Sequence, residues 1–425
     1  MIKLKSNFVT PALFLIPAII TGCFAVIYAR IIEKTLFLYH FYCHSHSALF
    51  LIITPLCFIL AAFLVKKFAP EAGGSGIPQI LHAIHTSTND GAFLKNINHV
   101  SLRTIIVKLL SSTIGTLGGA SIGREGPTVQ ISSSIFCQVA KFAQKRGYTV
   151  DYRSFLIAGG SAGVAAAFNA PLAGITFAIE EIAEGFFFKF KQIVMVAVIV
   201  AGVTSEVIMG DYPYFGYPSV TKPSWFIIPE ALLIGIVCGL AGAFFAFLLS
   251  TKWIDKIVPT KWWIRALYCG IVCGLFGYFS QSESGGAGYE SVKNFMNSNG
   301  TLTPYFALER FVTTIFSYIS GMAGGIFAPC LSIGAGFGYL VEILFSFNTP
   351  KICAMIGMVA FFSAVVHAPL TSVMIVMEMT DEHILIIPFL IGAYLSHAIS
   401  KFFVPVPLYR KLAKIPHEND PHTHT

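Results

Sequence analysis

Charged residues are scarce in this 425-residue sequence. Only 12% of the residues are Asp, Glu, Lys or Arg, against roughly 25% in an ordinary soluble domain, whereas 55% are hydrophobic. Apolar windows near the length of about 20 residues that a bilayer requires recur along the chain, at 13–28, 48–65, 193–205 and 232–249 among others. The composition therefore excludes a soluble globular domain and predicts an all-α polytopic protein that is integral to a membrane.

Paired cysteines are absent as well. The nine cysteines stand singly, mostly in apolar segments, and no C-x-x-C occurs, so we expect small buried hydrophobes rather than a disulfide framework or a zinc site. The stretch HFYCHSH at 40–46 holds four possible metal ligands, but we expect it to be a loop with no second ligand cluster nearby. We accordingly expect neither a metal nor a cofactor.

Basic residues are not interleaved with aromatic ones, which argues against nucleic-acid binding. The formal charge is +7, and its cations cluster at the ends of apolar segments, as in Lys66 and Lys67. That arrangement is typical of positive-inside anchoring, with both termini in the cytoplasm.

Two stretches of the chain repeat. Ala-Pro-Leu at 170–172 recurs at 368–370, and at the same offset Glu180 falls on Glu378. GREGP at 123–127 similarly matches GIFAP at 325–329. We therefore predict one transport domain over 1–425, with homologous halves at 40–215 and 225–405, a linker at 216–224 and a short cytoplasmic tail at 406–425. Repeats of this length in a membrane protein predict two bundles related by a pseudo-two-fold axis, with a site near the midplane built from broken helices.

Glycine and proline interrupt the apolar segments at 73–78, 118–127, 169–174 and 321–329, and we predict that these interruptions wall one cavity. A further Gly-rich stretch, 281–303, is expected to be a polar loop. The stretch GREGPTVQ contains Arg124 and Glu125, the only charges between 109 and 140. An intramembrane carboxylate by default marks an ion path or a buried ion pair. Adjacent helical residues point about 100° apart, which makes Arg124 a weak partner for Glu125.

The repeat separates the turn from its charge. Gly123, Gly126 and Pro127 build a turn that recurs in the second half, where Ile326 and Phe327 replace Arg124 and Glu125. A turn of this kind at a helix start leaves N–H groups free at a positive dipole end, which favours an anion. Two such starts facing each other would form an anion site that Glu125 could occupy when the anion is absent.

Ser75, in GGSGIP, supplies a hydroxyl at a third helix start. It could be an ordinary N-cap. The pattern G-x-S-G also occurs in rhomboid-type intramembrane serine proteases, for which His367 or His397 would be the base. A protease does not explain the duplicated halves and is the least favoured alternative. Of the neighbouring pair Glu180 and Glu181, only Glu180 recurs, so we expect Glu180 to be structural and Glu181 to be functional.

Together, GSGIP at 74–78, GREGP at 123–127, GGIFAP at 324–329 and the two Ala-Pro-Leu helices resemble, in order and spacing, the CLC family of chloride channels and chloride/proton antiporters. The resemblance implies a homodimer in a lipid bilayer, with a separate anion pathway in each subunit and about eighteen helical segments. The paired C-terminal nucleotide-binding domains of eukaryotic members do not occur in this sequence, so a prokaryotic-type member of a bacterial inner membrane is expected.

The resemblance also implies roles for single residues. The hydroxyls of Ser75 and Tyr409 and the backbone N–H groups of Ile326 and Phe327 would bind chloride. Glu125 would be the external gate and proton acceptor, and Glu181 would transfer protons on the inner side. Ser75 is the family's chloride-preferring residue, and Glu181 is typical of its antiporters. A chloride/proton antiporter is therefore expected, with a passive chloride channel as the alternative. Neutral donors suit this site better than a fixed lysine, which would bind chloride too tightly to release it.

Overall fold

The computed structural model describes residues 9–87, 97–182, 191–210, 214–216, 218, 225, 227–251, 253–297, 300–347 and 349–415. Over these residues the chain is helical and forms no β-strand, only two isolated bridges. The helices are, in chain order, α1 Val9–Ser45, α2 Phe50–Phe68, α3 Ile77–Thr86, α4 Leu102–Leu117, α5 Glu125–Lys145, α6 Tyr152–Phe168, α7 Pro171–Phe177, α8 Lys191–Met209, α9 Ile227–Ser250, α10 Ile254–Ile257, α11 Trp262–Phe279, α12 Tyr289–Asn297, α13 Phe306–Ile319, α14 Phe327–Phe345, α15 Pro350–Val366, α16 Pro369–Thr380, α17 Ile386–Phe403 and α18 Leu408–Leu412. The predicted all-α fold with about eighteen segments is confirmed.

Helix length divides these elements into two kinds. Within the described ranges, seven helices are long and apolar enough to cross a membrane, among them the parts of α1 and α9 at Pro11–Cys43 and Ile227–Ser250. Others, such as α3 and α7, have ten and seven residues. At a rise of 1.5 Å per residue they are too short to cross a bilayer. These short helices are the broken helices that the repeat predicted.

Proline and left-handed residues break the helices at matching places in the two halves. Helix α6 ends at Asn169 with φ 54°, and α15 ends at His367 with φ 64°. In each case an alanine follows, and then a proline begins the next helix, where its missing N–H costs nothing. Helices α6 and α15 begin 198 residues apart, and so do helices α7 and α16. The repeat therefore fixes helix boundaries as well as sequence.

A reciprocal pair of helix caps joins the halves. The Glu180 carboxylate accepts from the backbone N–H groups of Leu370 and Thr371, at 3.0 and 2.7 Å, at the start of α16. The Glu378 carboxylate, at the end of α16, accepts from the N–H groups of Leu172 and Ala173, at 3.0 and 2.8 Å, at the start of α7. The structural role expected for this pair is confirmed, and the bonds show a pseudo-two-fold relation between α7 and α16.

Two predicted loops are instead partly helical. The segment HFYCHSH lies mostly within α1, which continues to Ser45, because the apolar face of α1 stays buried there: Tyr39 and Cys43 are each only 2% exposed. The segment 281–303 contains α12, whose Val292, Phe295 and Met296 pack into the core. Both predictions were wrong because polar composition hid a periodic buried face.

The predicted domain bounds stay predictions. Of the linker at 216–224, the structure describes only residues 216 and 218. Within the predicted tail, Leu408 and Tyr409 of α18 are fully buried, so the chain up to residue 415 belongs to the folded core. Residues 416–425 lie outside the described ranges. All nine cysteines are free, and seven of them are buried.

Candidate functional site

Three of the four predicted interruptions meet at the centre of the molecule. The N–H of Gly74 donates to the Met322 carbonyl at 2.8 Å, and the N–H of Gly324 donates to the Gly74 carbonyl at 3.0 Å. Gly123 and Gly325 exchange N–H···O=C bonds of 2.7 and 2.8 Å. The fourth interruption, 169–174, is held instead by Glu378 at the interface of α7 and α16. The helix starts after the first three interruptions are thereby brought together.

Glycine is required where these backbones touch. A Cβ on Gly126 would overlap the hydroxyl oxygen of Ser75, and a Cβ on Gly325 would lie 2.9 Å from the Gly126 nitrogen. Gly76 has φ +99°, which favours glycine on its own account. The close packing places the N-termini of α5 and α14 side by side. Their first N–H groups have no acceptor within the helix, so two positive dipole ends converge here.

Two buried hydroxyls at this point lack partners. Ser75 and Tyr409 are each 0% exposed, and among the described residues neither Ser75 Oγ nor Tyr409 Oη has a hydrogen-bond partner. The two groups nevertheless lie close enough to interact. An unsatisfied buried polar group costs about 1–3 kcal/mol, so two adjacent ones point to a binding site rather than to a packed core. Both are O–H donors, which suits an anion.

The predicted backbone ligands adjoin these hydroxyls. Ile326 directly precedes α14 and Phe327 is its first residue, so their N–H groups are at the helix N-terminus. The Phe327 ring lies 5.7 Å from the ring of Tyr409 and also packs against Phe168 and Phe362. The structure therefore brings Ser75, Tyr409 and the start of α14 together. The aromatic packing of the Phe327 side chain was not predicted.

The Glu125 carboxylate is folded back over the same pair of helix starts. Glu125 is fully buried, and its Oε1 accepts from the hydroxyl of Tyr214 at 3.3 Å. Its Oε2 has no partner of normal hydrogen-bond geometry among the described residues and rests in close contact with Gly123. The backbone amides of Glu125 and Ala328 interact with the carboxylate. It thus lies where an anion at the ends of α5 and α14 would lie.

Arg124 has a different partner from its neighbour. Within the described ranges, its ion pair is with Glu33 of α1, at 3.4 Å, and its guanidinium carbon stands 5.3 Å from the centroid of the Tyr214 ring. Arg124 therefore anchors the turn to α1, as the 100° separation on a helix predicted.

Glu181 lies in a π-helical turn, Ala178–Ile182, at the end of α7. Such turns are rare in proteins, and those that occur often lie at functional sites. Glu181 is 5% exposed, and its Oε1 has no hydrogen-bond partner within the described ranges. The charges of Arg410 and Glu180 act on it, and it lies near enough to act on Tyr409. Glu125 is the first residue of α5 and Glu181 lies in the turn after α7, so the two carboxylates belong to different elements.

A lysine that the sequence analysis did not single out stands beside the site. Lys108 of α4 is fully buried, and its Nζ donates to the carbonyl of Gly74, the residue before Ser75, at 3.1 Å. The amine therefore stands behind the backbone that carries Ser75. When protonated it would raise the local potential through the backbone. A signal was present in the sequence, since Lys108 and Arg310 each stand 15 residues before the glycine of a repeated turn.

The protease alternative is not supported by this geometry. Ser75 Oγ has no histidine partner within the described chain, and Nε2 of His367 is bonded to Ser400 Oγ at 3.2 Å. The rings of His367 and His397 meet edge to face, with their centroids 5.0 Å apart. Nucleophilic catalysis requires the base within hydrogen-bond reach of the nucleophile, and that pair is not formed.

Comparison with known proteins agrees with the geometry. A sequence profile described as "Voltage gated chloride channel" matches residues 57–401. The H(+)/Cl(-) exchange transporters ClcA of Salmonella paratyphi A (strain ATCC 9150 / SARB42) and of Salmonella newport (strain SL254) are each 34% identical to this chain over 392 residues, covering 85% of this chain and 80% of the relative.

Solved structures share the fold. A slow cyanobacterial Cl-/H+ antiporter superposes with a TM-score of 0.80 at 24% identity, covering 95% of this chain and 97% of that one. A CLC-type fluoride/proton antiporter gives 0.76 at 21% identity, covering 96% and 99%. A eukaryotic CLC transporter gives 0.74 at 21% identity, covering 95% and 74%. On the extent of the profile match and of the sequence identity, the chain belongs to the CLC family of voltage gated chloride channel proteins.

Proposed function

We propose that this protein is an antiporter that exchanges chloride for protons across a membrane, with Glu125 as its gate. One observation carries the proposal: the Glu125 carboxylate and the unpaired hydroxyls of Ser75 and Tyr409 converge on the same two helix starts. A carboxylate and a chloride ion are both anions that accept hydrogen bonds. They compete for one electropositive pathway.

Competition couples the two ions. Deprotonated Glu125 holds the outer anion position and blocks chloride. A protonated Glu125 has lost the charge that the helix dipoles attract, so its side chain leaves and chloride enters in its place. Each anion that passes thereby requires a proton on Glu125, and the two ions move in opposite directions.

Glu181 supplies the inner end of the proton route. It is buried beside Tyr409, with one carboxylate oxygen unbonded among the described residues. Such an oxygen can take a proton without breaking an existing hydrogen bond. Because Glu125 and Glu181 are separate, protons and chloride use different paths on the inner side and a common path on the outer side.

The relatives support exchange over passive conduction, since the Salmonella proteins are named H(+)/Cl(-) exchange transporters. The proposal further places the protein as a homodimer in a bacterial inner membrane, with both termini in the cytoplasm. Light scattering of the detergent-solubilised protein tests the dimer, and terminal reporter fusions test the orientation.

The direct test uses the full chain in liposomes under opposed chloride and proton gradients. The wild type should move protons uphill when a chloride gradient drives it, whereas Glu125→Gln should pass chloride with no accompanying proton movement. Glu283→Gln, an exposed carboxylate in the Gly-rich stretch before α12, is the matched control and should keep coupling.

Two results would contradict the proposal. Proton pumping retained by Glu125→Gln would remove Glu125 from the gate. A wild-type reversal potential that follows the chloride gradient alone would establish the passive channel instead.

A further inference from the structure

Tyr214 contacts both charged residues of the GREGP turn. It is 4% exposed, its hydroxyl donates to Glu125 Oε1 at 3.3 Å, and its ring centroid lies 5.3 Å from the Arg124 guanidinium carbon. It belongs to a Pro- and Gly-rich stretch after α8 that reads from sequence as part of a connection. A buried tyrosine at this position has a function beyond joining two helices.

The repeat gives Tyr214 a counterpart in the second half. Tyr214 follows α8 in the first half, and Tyr409 follows α17 in the second. The residues that follow the two tyrosines also correspond. The Phe215 N–H donates to the carbonyl of Met379 at 3.0 Å, and Arg410 acts on Glu181. Met379 and Glu181 are equivalent positions of the repeat. Each tyrosine therefore lies near the residue at the end of a broken helix in the opposite half: Tyr214 near Met379, and Tyr409 near Glu181.

The two tyrosines contact equivalent residues of the two repeated turns, at the starts of α5 and α14. Tyr409 packs its ring against Phe327 at 5.7 Å, and Tyr214 bonds Glu125, the residue that corresponds to Phe327. One hydroxyl faces the inner anion position beside Ser75, and the other faces the carboxylate at the outer position. The pseudo-two-fold thus places a tyrosine hydroxyl at each end of the pathway.

Packing fixes the direction of the Tyr214 hydroxyl. Its ring centroid lies 4.9 Å from that of Tyr289, 5.4 Å from that of Phe215 and 6.5 Å from that of Phe168. Aromatic neighbours on several sides restrict both side-chain torsions of Tyr214. The hydroxyl is therefore already directed toward Glu125, and little side-chain entropy is lost when the carboxylate returns to its blocking position. The contact is pre-organised for a carboxylate that returns to this place.

We propose that Tyr214 is a positioning residue that holds ionised Glu125 in its blocking position and so sets the proton concentration at which the gate opens. The inference rests on the gating function proposed above for Glu125. A hydroxyl that donates to a carboxylate stabilises the ionised form over the protonated one. Without it, Glu125 leaves the blocking position at a lower proton concentration.

Other groups around Glu125 set the background for this effect. Arg124 is on the same helix, Tyr28 and Glu33 come from α1, and Tyr289 of α12 acts on Arg124. The substitution Tyr214→Phe removes the hydroxyl that bonds Glu125 and leaves these side chains and the ring that Arg124 covers in place.

The test measures chloride-driven turnover of the full chain in liposomes as a function of external pH. Tyr214→Phe should move the half-maximal pH upward by about one to two units, as expected for loss of one hydrogen bond to a charged group. Turnover at neutral pH should rise with it. Tyr278→Phe, a tyrosine that is 40% exposed, is the matched control and should leave the profile in place.

A second background separates this proposal from the gate itself. In Glu125→Gln, which carries no titrating carboxylate, Tyr214→Phe should change nothing, so the double-mutant cycle should show full coupling between the two positions. An unshifted profile in the single variant, or an equal effect in both backgrounds, would overturn the proposal while leaving Glu125 as the gate. Failure of Glu125→Gln to uncouple transport would instead overturn the proposed function.

Discussion

The turns at the start of α5 and α14 have the same backbone and opposite chemistry. Gly123 and Gly325 exchange both of their backbone hydrogen bonds, and each is followed, four residues later, by a proline inside a helix start. Two residues after each glycine, the first half has Glu125 and the second has Phe327. The carboxylate lies over the paired helix starts, whereas the phenyl ring packs among other aromatic rings. The duplicated scaffold therefore bears a carboxylate in one half only.

The glycine turns before α3 and α12 show the same division. Gly74 and Gly76 have φ of 62° and 99°, and Gly286 and Gly288 have 65° and 80°. Behind each turn a buried cation donates 3.1 Å hydrogen bonds to the first glycine's carbonyl, from Lys108 Nζ and Arg310 Nη1 respectively. The residue between the glycines is Ser75 in one half and Ala287 in the other. Fold requirements recur in both halves, and the hydroxyl donor occurs in one.

The largest effect is expected at Glu181, at the end of the first half's broken helix, when it is replaced by the residue at the equivalent position of the second half, Met379. Glu181→Met should reduce proton transport to background while chloride flux continues, because methionine cannot carry a proton. Proton and chloride fluxes measured together in liposomes report the result. Met379→Leu, a volume-conserving change at the repeat position, should keep coupling. Unchanged stoichiometry in Glu181→Met would remove this carboxylate from the proton route.

A smaller effect is expected from the buried cations. Lys108→Met should weaken chloride binding about tenfold, which corresponds to a loss of about 1.4 kcal/mol of electrostatic attraction at partly buried distances. Calorimetric titration of the solubilised protein with chloride measures it. Arg310 donates to Glu283, Gly285 and Gly286 carbonyls instead, so Arg310→Lys should lower thermal stability with chloride affinity retained. Equal loss of affinity in both variants would show that the cations do not differ in function.

Replacing Ser75 by its counterpart tests the hydroxyl. Ser75→Ala copies Ala287 and removes one donor of about 0.5–1.5 kcal/mol net, so chloride binding should weaken by roughly two- to tenfold. The same titration applies. Ser161→Ala, at another buried serine with an unpartnered hydroxyl among the described residues, is the control. An affinity equal to that of the wild type would show that Ser75 does not bind the anion.

The smallest effect is expected where the halves are equivalent. Glu180→Gln and Glu378→Gln each weaken one cap, at a cost of about 0.5–2 kcal/mol of folding stability, and should lower the melting temperature by similar amounts with coupling intact. Thermal unfolding in detergent compares them. A loss of coupling in only one of the two variants would contradict their structural equivalence.

The motifs could be predicted from sequence because their chemistry is local. A proline, a glycine with positive φ or a lone carboxylate between apolar residues constrains its own neighbourhood, and GREGP, GSGIP and GGIFAP fall where the helix starts converge. Tyr214 and Lys108 could not be placed in the same way, because their roles depend on contacts across the chain, with Glu125 and with Gly74. Tyr214 lies at the very end of the predicted first half, beside the predicted linker, and Lys108 directly precedes the run 109–140, in which Arg124 and Glu125 are the only charges.

The repeat could have found both missed residues. Pro213 and Tyr214 stand after α8 much as Pro407 and Tyr409 stand after α17, and the lysine has the same spacing from its turn as Arg310. These matches are single residues in otherwise dissimilar stretches, so they become visible only when helix boundaries are known. The Gly-rich turn before α12 was hidden in the same way, inside a segment whose composition is that of a loop.

The reciprocal caps between α7 and α16 have a mechanical consequence. Two carboxylates accept four hydrogen bonds from backbone N–H groups across the interface, and sliding one half past the other would break all of them. The cycle proposed here needs only the rotation of a side chain through a fixed frame. We therefore expect the outline that the protein presents to lipid to stay nearly constant during turnover, and the thickness and viscosity of the bilayer to have little influence on its rate.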